Sequence, residues 1–330
     1  MSFLTKLPRD LYASDGFAGF EGEGRFSLGD GRAMMWMSQL AYETDEPEKI
    51  QDILRMWGMA PGGKSVIAGE VKTLLPLAQT RAVMAAGRGA AIVAFAGGDP
   101  LVLANWITVL DVRTGGSQIA KGFDLATGCV WPQLHALLQE PQAQGARIFL
   151  TGHSLGGALA VLAADRILKG GGRVDAVYTF GMPRPGTKEF AAAYNERIGG
   201  RTYRLVYGCD LVPALPPPAL GFRHVGRYLH CESGGTFKCE ALEEGTDSDS
   251  PVFLPEIAGD LKEIARAPLS TAAEAARRLR SAVLLASGHG SEGARRDFKG
   301  VAMALLPPRL RDHIPACYID GFARPPQEDE

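Results

Sequence analysis

The residues in this chain whose types and spacing could do chemistry begin with Gly152-His153-Ser154-Leu155-Gly156. The run before the serine, 146–151, is short and apolar, and the run after it, 156–169, has helix length. A G-x-S-x-G sequence between a strand and a helix reads as a nucleophile elbow. Small residues on both sides permit the tight turn that holds the serine oxygen at the edge of a sheet. The helix behind Ser154 would aim its first amides at the point where negative charge develops in acyl transfer. The expected chemistry is attack of a hydroxyl on a carbonyl carbon.

A serine hydroxyl is a weak nucleophile at neutral pH, so it needs a base, and the base needs an acid that fixes its tautomer. On strand, elbow and helix architectures the chain order is Ser, then Asp or Glu, then His. Asp210 follows the apolar run 203–207, which as a strand would deliver it to the same edge as the elbow. Of the six histidines, His135 precedes the serine and His153 lies inside the elbow, which leaves His224, His230, His289 and His313. His224 comes soon after Asp210, in a stretch where Pro213, Pro216, Pro217 and Pro218 leave no room for a strand that returns it to the sheet edge. His289, in Ser287-Gly288-His289-Gly290-Ser291, reads as part of a helix stop and a loop. His313 stands beside Ile314, Pro315 and Tyr318, which could anchor an imidazole, and is the favoured base, with His224 and His230 as alternatives.

The elements that must position these groups follow from periodicity. Apolar runs at 90–96, 146–151, 176–180 and 203–207 suit strands buried on both faces. Helix-length segments at 122–138, 156–169 and 188–197 separate them, and two more helices, 33–42 and 48–57, precede them. Strands alternating with helices predict a largely parallel α/β sheet. After Glu240 the chain turns acidic and Ser/Thr/Gly-rich to Asp249, as in a loop, and helices follow at 255–266 and 271–287. The second opens on the capping pattern Thr271-x-x-Glu274. Its Arg277, Arg278 and Arg280 read as a solvated face.

Composition bounds the rest. With 330 residues, 46 % of them hydrophobic, the chain can bury a sizeable core. A net charge of −2 argues against nucleic acid as a partner. A charged fraction of 22 %, with 41 Gly and 21 Pro, does not fit a disordered, coiled-coil or collagen-like chain. The uncharged stretch 148–164 contains His153 and three glycines and reads as strand, turn and helix rather than a membrane span. The first ten residues reach charges and a proline before any apolar leader core, so the expected location is cytoplasmic, or exported without a recognisable N-terminal signal. Cys129, Cys209, Cys231, Cys239 and Cys317 contain no Cys-x-x-Cys pair and read as reduced thiols, although Cys231 and Cys239 could close a small loop in an oxidising compartment. No metal-binding spacing is present, and neither metal nor cofactor is expected.

Taken together, these residues resemble the class 3 lipases, the fungal-lipase-like branch of the α/β-hydrolases. The similarity spans residues 33–232 and 313–318. Gln39-Leu40-Ala41-Tyr42 is similar to the family's N-terminal helix signature, Ile92 to Gly98 to its oxyanion strand, and Asn105-Trp106-Ile107-Thr108 and Lys121-Gly122-Phe123 to the segments that follow. GHSLGGALA from Gly152, TFGMPRPG from Thr179, and DLVPALPP from Asp210 with Gly221-Phe222-Arg223-His224 match later blocks.

The resemblance implies an α/β-hydrolase fold with a mostly parallel central sheet flanked by helices. Outside the resemblance, the chain reads as a single domain over residues 1–330 with a helical cap at about 240–310 inserted between the catalytic Asp and His. The resemblance implies Ser154, Asp210 and His313 as the triad, with His224 not catalytic, and the backbone N–H groups of Gly98 and Leu155 as the oxyanion hole. An apolar lid would lie near 99–106 and carry Leu101, Val102, Leu103 and Trp106.

Two features depart from the family: Ala96-Gly97-Gly98 stands where Arg-Gly-Thr or Arg-Gly-Ser is usual, which removes a hydroxyl donor, and the interval from Asp210 to His313 is long. The implied activity is hydrolysis of carboxylic esters of lipids, as a triacylglycerol lipase or esterase, through an acyl-enzyme on Ser154. The alternatives are phospholipase A1 or thioesterase action on the same triad, or a lipase-like binding protein with impaired turnover. The implied partners are a lipid or ester substrate and transient contact with a lipid–water interface.

Overall fold

The computed structural model describes residues 5–70, 79–98, 118–243 and 308–322, with the backbone alone at 62–65. The chain opens on α1 (Leu28–Leu40), where Ser27 caps the helix by accepting the Asp30 N–H, and α2 (Pro47–Met56), which starts on a proline. Then come β1 (Ala60–Glu70), β2 (Gln79–Gly87) and β3 (Ala90–Phe95). Strands and helices alternate from there: α3 (Lys121–Ala143), β4 (Arg147–His153), α4 (Leu155–Lys169), β5 (Ala176–Phe180), β6 (Gly186–Thr187), α5 (Lys188–Ile198) and β7 (Thr202–Tyr207). The short β8 (Phe222–Arg223), β9 (Arg227–Cys231), α6 (Pro308–Arg311) and α7 (Pro315–Asp320) complete the described elements.

Seven strands form one sheet in the order β1-β2-β3-β4-β5-β7-β9, and β6 pairs with β8 apart from it. β2 runs antiparallel to both β1 and β3, and every pairing from β3 to β9 is parallel. β3, β5 and β7 are buried at every position, which is why they read as continuous apolar runs rather than alternating ones. One face of the sheet packs on α3, α4 and α5 through Val93, Leu150, Val177, Leu159 and Val130, and the other on α1, α2 and α7 through Ile92, Phe149, Tyr178, Met35 and Tyr318. These are the two helical layers of an α/β sheet.

The structure adds strands that periodicity missed. β1 and β2 form an antiparallel edge, and β9 extends the parallel sheet beyond β7. The proline stretch after Asp210 does accommodate a strand, β8, but one of two residues that pairs with β6 away from the central sheet. The five cysteines are free thiols. The helices expected at 255–266 and 271–287, and with them nearly all of the expected cap, lie outside the described residues, as do Leu101, Val102, Leu103, Trp106 and His289.

Candidate active site

β4 ends on His153 and α4 begins on Leu155, so Ser154 is the single residue of the turn between them. Its backbone lies at φ 59°, ψ −133°, a region a non-glycine residue enters at a cost of order 1–3 kcal/mol. The turn is held by Ser154 N–H to the Phe180 carbonyl at 2.8 Å and Gly157 N–H to the Ser154 carbonyl at 3.0 Å. The flanking glycines are required by close approach. A Cβ on Gly152 would lie 2.2 Å from the Gly156 backbone, and one on Gly156 would lie 2.1 Å from the Phe95 carbonyl oxygen.

Asp210 follows β7 across the turn Gly208-Cys209 and is fully buried. Its Oδ1 accepts the Val212 N–H at 2.9 Å, and its Oδ2 accepts both the Tyr318 O–H at 2.6 Å and the His313 Nδ1–H at 2.8 Å. His313 sits between α6 and α7, and its Nε2 is 2.9 Å from Ser154 Oγ. Ser154 and His313 are each 1 % exposed. The structure therefore brings Ser154, His313 and Asp210 into one hydrogen-bonded chain. Two ends of that chain arrive from elements 159 positions apart.

A second imidazole supports the first. His153 Nε2 is 2.7 Å from the His313 carbonyl, and its Nδ1 is 2.8 Å from Tyr42 Oη. A carbonyl can only accept, so Nε2 carries the proton and Nδ1 accepts the Tyr42 O–H. Complete burial, and then the neighbouring His313, hold the His153 pKa well below 6.5, so this ring stays neutral. Burial, and then Asp210, push the Tyr318 hydroxyl well above the usual tyrosine range, which keeps it a donor to Asp210. Sequence reasoning read Tyr318 only as one of the neighbours that anchor His313, and assigned no role to Tyr42 or His153. The signals were there, in a tyrosine on the short helix after His313 and a tyrosine that ends the N-terminal signature.

The two alternative histidines, His224 and His230, are engaged elsewhere. His224 is buried, with Nε2 on the Pro213 carbonyl at 2.8 Å. Its pKa falls well below 6.5 through burial and then the charges of Arg204 and Arg184. His230, on β9, places Nε2 2.9 Å from the Gly208 carbonyl. The loop after β3 packs on the elbow: a Cβ on Gly97 would lie 2.6 Å from the His153 carbonyl oxygen and 3.0 Å from Ser154 Cβ. Gly98 follows directly and is half-buried. Leu155 is the first residue of α4, and a first helical N–H has no acceptor within its own helix.

Comparisons with known proteins cover part of the same site, including Ser154 and Asp210. The model of the family "Lipase (class 3)" matches residues 100–220. The secreted mono- and diacylglycerol lipase 1 of Fusarium solani is 34 % identical over 148 residues, 42 % of this chain and 44 % of that protein. A secreted mono- and diacylglycerol lipase of Malassezia globosa is 31 % identical over 124 residues, 37 % of this chain and 41 % of that one. The chain thus spans less than half the length of these curated relatives. In fold it is similar to the Rhizomucor miehei lipase in its propeptide complex, with TM-score 0.52 and 26 % identity over 66 % of this chain and 74 % of that one. It is also similar to lipase II from Rhizopus niveus, with TM-score 0.51 and 20 % identity over 66 % and 86 %.

The expectation of a cytoplasmic location is overturned by these relatives, which are named as secreted proteins. That expectation rested on the lack of an apolar leader in the first residues, and a lack of that kind does not fix where a protein works. Motif order, family model and fold converge: residues 100–220 match the model of the class 3 lipase family, and the chain is built on the α/β-hydrolase fold.

Proposed function

We propose that this protein hydrolyses carboxylic esters of glycerol and long-chain acids through an acyl-enzyme on Ser154. The observation that carries the reading is the hydrogen-bonded chain from Ser154 Oγ to His313 Nε2 at 2.9 Å and from His313 Nδ1 to Asp210 Oδ2 at 2.8 Å, starting from a serine on a strained turn. In this reading His313 Nε2 takes the Ser154 proton as Oγ adds to the ester carbonyl, and Asp210 holds Nδ1 protonated and stabilises the imidazolium that forms. The oxyanion is received by the N–H of Leu155 and that of Gly98. His313 then protonates the departing glycerol oxygen, and water repeats the sequence to release the acid.

The loop Ala96-Gly97-Gly98 supplies no hydroxyl to the oxyanion. Loss of one such donor typically costs about 10²–10³ in rate, which slows an enzyme of this kind without abolishing it. Since Ser154 is 1 % exposed, an ester reaches Oγ only when whatever covers the site moves aside. The apolar residues Leu101, Val102, Leu103 and Trp106 are the side chains we assign to that cover. The names of the relatives support action outside the cell on mono- and diacylglycerols.

The test is turnover of p-nitrophenyl esters of graded chain length, with and without detergent, by the wild type and by Ser154→Ala. Loss of the nucleophile should remove on the order of 10⁶ in kcat and leave the fold in place. Residual activity within tenfold of wild type would overturn the serine-hydrolase reading. No turnover of any ester by the wild type would favour a binding protein.

A further inference from the structure

Two dipeptides face each other across the site: Cys209-Asp210 after β7, and Asp312-His313 between α6 and α7. Asp210 reaches out of the first dipeptide to hold the His313 ring. Asp312 reaches back. Its Oδ2 accepts the Cys209 backbone N–H at 3.1 Å and the Cys209 Sγ–H at 3.3 Å. A third donor, the Ser233 O–H, arrives at 2.6 Å from the turn after β9. Oδ1 lies 3.5 Å from Arg311 Nε. The carboxylate is 1 % exposed, yet it touches none of the reacting atoms described above.

A buried carboxylate is costly unless its oxygens are met by donors, and an apolar residue of similar size would serve packing alone at less cost. What three donors converging on one oxygen supply is geometry. The elements around His313 need it. α6 has four residues and α7 has six, too short to hold a side chain to the half-ångström or so that proton transfer demands. The backbone contacts run the same way, with Asp312 N–H on the Pro308 carbonyl at 2.8 Å and Leu211 N–H on the Arg309 carbonyl at 3.3 Å.

We propose that Asp312 is the positioning residue of the base: its carboxylate, clamped on Cys209 N–H and Ser233 O–H, sets the register between the two dipeptides and so the angle at which His313 meets both Asp210 and Ser154. The proposal rests on the triad reading given under the proposed function. Its reciprocal form is specific, because each dipeptide contributes the carboxylate that fixes the other.

The experiment compares Asp312→Ala, Asp312→Asn and Ser233→Ala with His313→Ala as the control for the triad. Readouts are kcat and KM on a p-nitrophenyl ester, the rate of labelling by a serine-directed phosphonate, and the downfield proton resonance of the His313 Nδ1–H bond. Asp312→Ala should lower kcat and the labelling rate on the order of 10²-fold, the scale of a 1 Å misplacement, with KM within about threefold, and should lose the downfield resonance. Asp312→Asn keeps an acceptor for Cys209 N–H and Ser233 O–H and should restore kcat to within about tenfold of wild type. If His313→Ala is inactive while folded Asp312→Ala keeps kcat within twofold of wild type and retains the resonance, the positioning role is wrong and the triad stands. If His313→Ala itself stays active, the triad reading fails, and with it the premise. Should Asp312→Ala not fold, Ser233→Ala decides on its own. A kcat loss of threefold or more at unchanged KM supports the clamp, and an unchanged kcat overturns it.

Discussion

Gly181→Ala places a methyl group in the middle of the proposed triad. Gly181 follows β5 at φ +58°, and a Cβ built on it would lie 2.6 Å from Asp210 Oδ2, 2.9 Å from Tyr318 Oη and 3.0 Å from His313 Nδ1. All three distances fall short of ordinary van der Waals contact, which begins near 3.4 Å. The three polar atoms must therefore move by several tenths of an ångström to about one ångström, and they are the atoms that hold the imidazole. A 1 Å misplacement of that kind costs on the order of 10² in rate, so kcat on a p-nitrophenyl ester should fall about 10²-fold with little change in KM. The positive φ adds a separate cost of about 1–2 kcal/mol, worth about 1.5–3 °C in Tm for a chain of this length. Gly171→Ala separates the two effects, because Gly171 has φ +79° but nothing within 4 Å of its Cβ position. That variant should lose Tm and keep kcat. If folded Gly181→Ala retains kcat within threefold of wild type, the contact between His313 and Asp210 does not govern turnover and the argument fails.

Two further outcomes test the histidines. His313→Ala should be as damaging as removal of the nucleophile, and His224→Ala should keep most of its turnover, since His224 is engaged with the Pro213 carbonyl; the reverse pattern in steady-state kinetics would exchange the assignments. Stability should also fall below pH about 6.5, because His153 and His224 stay neutral in the fold far below the pH at which the unfolded chain takes up their protons. The unfolded state binds more protons there, so full stability is present above that pH. Each ring then contributes a loss of about 1.4 kcal/mol per pH unit as the pH drops. In urea titrations between pH 6 and 4.5, His224→Gln should show a slope shallower by one proton, and an identical slope would mean that the ring is not held neutral.

Much of the site was legible because its chemistry is local. The elbow declares itself through Gly152 and Gly156, whose Cβ positions are occupied by neighbouring backbone, and through the apolar runs on both sides. Asp210 could be placed by the strand in front of it. The base was harder, since only the neighbouring Ile314, Pro315 and Tyr318 mark His313 locally. Its partners, the Asp210 carboxylate and the His153 ring, lie 103 and 160 positions away. For the same reason Tyr318 was read only as an anchor beside the histidine, and Asp312 was given no role. Their roles exist only once β7 and α7 are side by side.

The strands that escaped notice have a different cause. β1 contains Pro61, Gly62, Gly63 and Gly69, residues that weaken a strand pattern, and it sits at the sheet edge, where fewer of its positions need to be apolar. The main correction on function concerned location. It came from relatives named as secreted and could not have come from residue chemistry.

The reach from Ser154 to His313 sets an order of events during folding. The elbow, β3 and β5 can associate within less than a hundred residues of chain, whereas the base must close a loop of 159 positions onto a surface that already exists. Renaturation should therefore show two clocks. Tryptophan fluorescence from Trp36 and Trp57, which pack 6.3 Å apart under the first part of the sheet, should recover early. Reactivity of Ser154 toward a phosphonate should appear later, when α7 docks. A chain still being synthesised would carry an assembled but unarmed elbow until its last described helix is made.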